Sequence, residues 1–113
     1  VKYIPLRAES DPEGGTLDWR DISRQVIRRP LDMQKGADVD EMRKGIRLLD
    51  AIDAAEGDWL ALEDADWEHL KEKVLKFAWG VVARPALRYI DDVVGAADKP
   101  SVNGLLVESV EPA

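Results

Sequence analysis

The sequence predicts a mainly α fold: one small domain of three or four helices with at most a minor β element, near the N-terminus and at 59–62. Three observations carry that expectation. Apolar residues recur at three- and four-residue spacing along several stretches, the pattern of amphipathic helices. Capping residues stand before those stretches and Gly or Pro after them. Strand-like runs are few and short.

Tyr3-Ile4-Pro5-Leu6 is an apolar patch suited to a strand, which Pro5 would confine to a sheet edge. Ser10 to Gly15 reads as a turn punctuated by Pro12 and the Gly14-Gly15 pair. Thr16 is placed to cap a helix in which Trp19, Ile22 and Val26 share a face, and Pro30 would end it. For residues 16–29 a hairpin is the alternative, because Val26-Ile27 and the nearby glycines also permit one.

Leu31 to Ala37 connects to a stronger helix. Asp38 caps it, and Glu41 three residues later completes a capping-box pattern. Its apolar residues Val39, Met42, Ile46, Leu48, Leu49 and Ile52 cover about half the circumference at ~3.6 residues per turn. A one-sided surface helix needs less, so this helix is expected to pack on two sides or to lend one side to a partner. Gly57 closes it as a left-handed cap. Trp59 to Leu62 is extended, and Glu63 or Asp64 starts a helix with Trp67, Leu70, Val74 and Phe77 on one face. Trp79-Gly80 breaks that helix. Pro85 suits the first turn of the last one, where Ala86, Tyr89, Ile90, Val93 and Val94 face inward and Gly95 ends the run. Asp98-Lys99-Pro100 marks the domain edge, giving a single domain over 1–98 and a flexible tail over 99–113. The tail has one apolar island, Leu105-Leu106-Val107.

At 113 residues with a formal charge of −7, the chain is expected to be soluble and to avoid direct contact with nucleic acid, whose phosphates attract Lys and Arg. No cysteine is present, which excludes disulfides, zinc–thiolate sites and thiol catalysis. The single histidine, His69, has no second His or Cys to join it in a metal or catalytic set, and reads as a surface or boundary residue. No register of the carboxylates fits a calcium loop, and Gly14-Gly15 lacks the strand and Lys-Ser/Thr of a phosphate loop. No catalytic residue, cofactor or metal is therefore expected, and the chain is not read as an enzyme. No apolar run approaches the ~20 residues of a membrane span, and the N-terminus lacks a signal-peptide core, so a cytoplasmic location is expected.

Charge is unevenly spread. Between Leu48 and Glu72 nine carboxylates face one lysine, Lys71. Arg20, Arg24 and Arg28 form an i, i+4, i+8 ridge if their segment is helical. Of the four tryptophans, Trp19 and Trp67 lie on helical stripes and read as core, whereas Trp59 and Trp79 sit at element edges. The candidate partner-binding residues are thus Arg20, Arg24, Arg28, Leu48, Ile52, Trp59 and Trp79.

Three stretches, Gly15 to Asp21, Val39 to Arg43 and Leu60 to Trp67, look like those of small proteins of tailed bacteriophages. Over roughly residues 15–95 the organisation resembles the tail assembly chaperones. That resemblance implies a small helical acidic protein that coats a tape-measure protein and recruits tail-tube subunits. No functional residue follows from it, and the short tail, with no appended second domain, departs from the pattern. The expected function is a non-enzymatic protein-binding module of phage morphogenesis, partnered by a phage structural protein or a host protein, with self-association as a further option. The rival is an acidic inhibitor that fills a basic nucleic-acid channel of a host enzyme with the 50–72 carboxylates.

Overall fold

The computed structural model describes residues 1–12, 15–80, 82–102, 105 and 106, the four from 101 onward by their backbone alone. Among them the order is β1 (Lys2–Pro5), β2 (Ala8–Ser10), β3 (Thr16–Asp18), α1 (Trp19–Arg28), α2 (Val39–Ala54), β4 (Trp59–Leu62), α3 (Asp64–Lys76), α4 (Arg84–Val94), β5 (Ser101–Val102) and β6 (Leu105–Leu106). The mainly α expectation is corrected by the strands. They pair into three two-stranded antiparallel ladders, β1–β4, β2–β3 and β5–β6, beside the four helices, so the fold is an α+β mixture. β1 and β4 fall where the sequence placed its minor β elements, but β2, β3, β5 and β6 were not expected, because two- and three-residue strands leave almost no period-2 signal.

The β1–β4 ladder ties the N-terminal strand to the middle of the chain, and a bridge on its other side ties it to the residues after α4. Lys2 faces Leu62 and Pro5 faces Trp59, and on the other side of β1 the Tyr3 N–H donates to the Ala97 carbonyl at 3.0 Å. β4 alternates as a half-buried strand must: Leu60 and Leu62 point inward, and Ala61 outward.

Val26 and Ile27 are helical, so the hairpin alternative for 16–29 gives way to α1, and only Thr16–Asp18 are extended before it. Thr16 is not the helix cap. It opens β3, which pairs with β2, and Asp18 caps α1 by accepting the Arg20 and Asp21 N–H groups. Asp38 caps α2 by accepting the Glu41 N–H at 2.8 Å. The reciprocal half of the expected capping box is absent. The Glu41 carboxylate instead accepts from the Leu31 N–H at 2.9 Å and from the Lys73 ammonium. Gly57 has the left-handed φ of +80°, but it is not the helix cap expected of it: α2 ends at Ala54 with Ala55 as its C-cap, and Gly57 lies two residues further on.

One core collects side chains from the first ladder and every helix: Ile4, Leu60 and Leu62; Trp19, Ile22, Val26 and Ile27; Leu48 and Ile52; Leu70 and Val74; Tyr89 and Val93. Trp19 is its largest member, fully buried, with Tyr89 edge-on at 5.7 Å and its Nε1–H donating to Asp92 at 2.8 Å. Trp67, expected in the core, is half-buried at its rim and donates to the Val93 carbonyl. Within the segment expected to be a flexible tail, the backbone of 101–102 pairs with that of 105–106. Val107 and all that follows lie outside the described residues. Among the described residues no helix is long and apolar enough to cross a membrane.

Candidate functional site

A mainly apolar groove of about 470 Å³ lies between α1 and the α3–α4 connector. Its volume falls in the ~300–1,000 Å³ range of binding sites. Leu17 of β3 and Ile22 of α1 form one wall. Phe77, Ala78 and Trp79 form the other, and Pro85 and Ala86 of α4 close the end. Arg29, Gln25 and Asp11 stand among the lining residues and supply its polar groups.

The chain builds this opening from a helix stop. α3 ends at Lys76, and Phe77 turns extended, with φ −65° and ψ 136°. The connector then runs Ala78-Trp79-Gly80 and resumes as α4, with Pro85 in its first turn. Small residues at 78, 80, 83 and 86 leave the wall thin, so the ring of Trp79 is the large feature in it. That ring is held in place. Phe77 lies edge-on at 4.8 Å, Tyr89 packs behind at 6.1 Å, and the Trp79 Nε1–H donates to the Val74 carbonyl at 3.3 Å. Arg29 lays its guanidinium over Phe77 at 5.1 Å, which places a cation at the groove's edge. Behind the wall, Tyr89 and Ser23 share a buried 2.7 Å hydrogen bond, and burial pushes the Tyr89 hydroxyl pKa up, keeping it neutral. The groove is therefore a mainly apolar slot with an aromatic backing, and Arg29 and Asp11 are the charged residues among its described lining.

The other ionisable clusters are occupied internally. Lys73 is buried on α3. Its ammonium donates to the Ile27 carbonyl at 3.1 Å, the Arg29 carbonyl at 2.8 Å and the Glu41 carboxylate. It thereby satisfies the carbonyls that the end of α1 leaves open. Burial pushes the Glu41 carboxyl up, but the hydrogen bonds from Lys73 and Leu31 and the Lys73 charge outweigh it and hold its pKa below the ordinary value. His69, expected at the surface or boundary, is buried, and its Nε2 has no hydrogen-bond partner among the described residues. Burial first, then the charges of Lys73 and Lys44, lower its pKa and favour the neutral ring. Around β2 and α4, Arg7 bridges Glu9 and Asp92, and Arg88 meets Glu9. Among the described residues no group of three or more His, Asp or Glu side chains is placed to hold a metal ion.

The candidate residues from the sequence scatter. Trp79 lines the groove. Arg20 does not face a partner: it reaches across to the end of α2, donating to the Ile52 carbonyl at 2.8 Å and the Ala55 carbonyl at 2.9 Å. Arg24 pairs with Asp21 and Asp53, and Arg28 is exposed. Leu48 and Ile52 are 1% and 0% exposed, so neither can meet a partner without unfolding. The arc is indeed too wide for one packing surface, but its wet edge is the opposite one, Val39, Met42 and Ile46. Trp59 is half-buried opposite Pro5, away from Trp79's groove. Five of the nine carboxylates in 48–72 are in ion pairs within the chain: Asp53, Asp64, Asp66, Glu68 and Glu72. Leu17, Ile22, Phe77 and Pro85 were not singled out for binding. For Phe77 and Pro85 the signal was the run of small residues around Trp79-Gly80, which marks a thin connector between two helices; Leu17 and Ile22 carried none. Compared with known proteins, the chain matches no family model, no curated protein and no solved structure.

Proposed function

We propose that this protein is a non-enzymatic binding module that holds an apolar segment of another protein in the groove between α1 and the α3–α4 connector. The observation that carries this reading is the exposed apolar slot itself, backed by Phe77, Trp79 and Tyr89. Water is released when an apolar side chain enters such a slot, and rings that are already fixed cost little ordering entropy on binding. The Arg29 guanidinium favours a segment with a carboxylate beside its apolar anchor. The setting proposed from the sequence resemblance is reversible shielding of a phage structural protein in the host cytoplasm before assembly.

The rival, an acidic decoy for a basic channel, is less well supported, because most of the 48–72 carboxylates already have cationic neighbours. Panning a random dodecapeptide display library on the full chain tests the proposal. Enriched peptides should share an apolar or aromatic anchor, and their binding should fail against Ala78→Glu, which puts a charge in the groove from an exposed position. Binding that survives Ala78→Glu but collapses as salt is raised would transfer the function to the acidic surface.

A further inference from the structure

The exposed edge of α2 carries its own information. At about 100° per residue, the buried Gly45, Leu48 and Ile52 define one side of the helix, and Val39, Arg43, Ile46 and Asp50 run along the opposite side. Val39, Met42 and Ile46 are 62%, 56% and 55% exposed, neighbours on the helix surface at three- and four-residue spacing. An unpartnered stripe of this kind marks an interaction surface.

The charges on α2 identify its occupant. Seven charged side chains lie on this helix. Asp40 pairs with Lys44, Glu41 with Lys73, Arg47 with Asp66, and Asp53 with Arg24. The remaining two, Arg43 and Asp50, are both exposed and have no ion pair among the described residues. They are seven residues apart on the outward side, bracketing Ile46, and opposite in charge. A stripe with a cation on one side of its apolar centre and an anion on the other is complementary to itself when reversed.

We infer that α2 is a self-association surface, on which a second copy of this chain packs its own α2 antiparallel about a point between Ile46 and Arg47. In that arrangement Arg43 lies level with Asp50 of the second copy, and Asp50 with Arg43 of the second copy, giving two symmetric ion pairs around an apolar centre. This is the isologous contact of a two-fold dimer. A parallel copy in register sets Arg43 level with Arg43 and Asp50 level with Asp50, and like charges oppose that pairing. Three apolar side chains per copy make a footprint below the ~1,200 Å² of stable complexes, so the dimer is weak and reversible. Its dissociation constant should fall in the range of roughly 10–100 µM. This surface does not share residues with the groove, so it stands or falls independently of the proposed binding function.

Sedimentation velocity of the full chain across a concentration series, at low and at moderate salt, tests the inference. The wild type should pass from monomer to dimer. Arg43→Asp and Asp50→Arg should each weaken the dimer about tenfold, through two lost ion pairs and two new repulsions. The double variant restores both pairs with the charges exchanged and should return to within about threefold of the wild type. Ile46→Lys, at an exposed position, should be monomeric with an unchanged circular dichroism spectrum and melting temperature when compared with dilute wild type. A wild type that stays monomeric at millimolar concentration would overturn the inference. So would a dimer indifferent to the single charge reversals, or a double variant no better than the singles.

Discussion

Replacing Lys73 by Met is the substitution that most sharply probes how the helices are tied together. Met preserves most of the side-chain stem, so the apolar packing of α3 survives and the ammonium alone is lost. That ammonium holds the Ile27 and Arg29 carbonyls at the end of α1 and the Glu41 carboxylate in the first turn of α2. Removing one member of a buried ion pair costs about 3–5 kcal/mol, because the survivor remains buried and uncompensated. Glu41 keeps its bond from the Leu31 N–H and is 11% exposed, so some of its charge can be rehydrated. The expected loss is therefore at the lower end, ~3 kcal/mol, a large share of a typical ~5–15 kcal/mol total. For a domain of this size that is a fall of ~12 °C in melting temperature. Urea and thermal melts of Lys73→Met, Glu41→Leu and the double variant read it out. The double variant removes the orphaned charge and should be no less stable than Lys73→Met alone, a coupling of at least ~2 kcal/mol. The pH profile adds a second reading. Glu41 has a native pKa held below 4.5, so its contribution is present above that value and is lost as pH falls through the lowered native one. Lys73→Met should abolish that acid limb. A loss below ~1 kcal/mol, or strictly additive single variants, would refute this account of the network.

Leu48→Glu should unfold the domain, because it buries an unpaired carboxylate among Ile52, Leu60 and the rest of the core; a folded Leu48→Glu spectrum would place α2 the other way round. His69 has a native pKa below its ordinary 6.5, so the folded state binds its proton less readily than the unfolded chain does. Stability should be full above pH 6.5 and fall as pH drops from there through the lowered native value, and His69→Gln should flatten that window; an unchanged slope in His69→Gln would assign the titration elsewhere. Arg20→Met should cost about 1–2 kcal/mol by leaving the Ile52 and Ala55 carbonyls without donors, measured by urea melts, and an effect within error would mean water replaces the guanidinium there.

Periodicity located all four helices, because each buries a stripe that repeats at helical spacing, and the Asp38 cap and the left-handed φ of Gly57 were legible for the same local reasons. What periodicity could not do was orient α2. Its apolar arc spans half the helix, and which edge is wet depends on where α1 and α3 sit, a long-range fact. Leu48 and Val39 are equally apolar in sequence, yet one is 1% and the other 62% exposed. The arginine ridge failed for a related reason. An i, i+4, i+8 spacing fixes a shared face but not the neighbour, and for Arg20 the neighbour is the end of α2. Nothing local in the sequence marks Lys73 as the point where α1, α2 and α3 meet, because its partners at 27, 29 and 41 lie more than thirty residues away. The groove was half legible: Trp79-Gly80 announced a break between helices, but the facing wall, Leu17 and Ile22, comes from a segment some sixty residues away.

The most direct test of the central claim is the indole region of a ¹H–¹⁵N spectrum, recorded as a groove-selected dodecapeptide is added. The four tryptophans report from separate places: Trp79 in the groove, Trp19 in the core on Asp92, Trp67 on the Val93 carbonyl, and Trp59 beside Asp58 in the acidic stretch. The account predicts that the Trp79 indole signal moves, together with the amides of Thr16, Ala78 and Ala83, while those of Trp19, Trp59 and Trp67 stay in place. Movement of Trp59 and its acidic neighbours, with Trp79 unchanged, would contradict it.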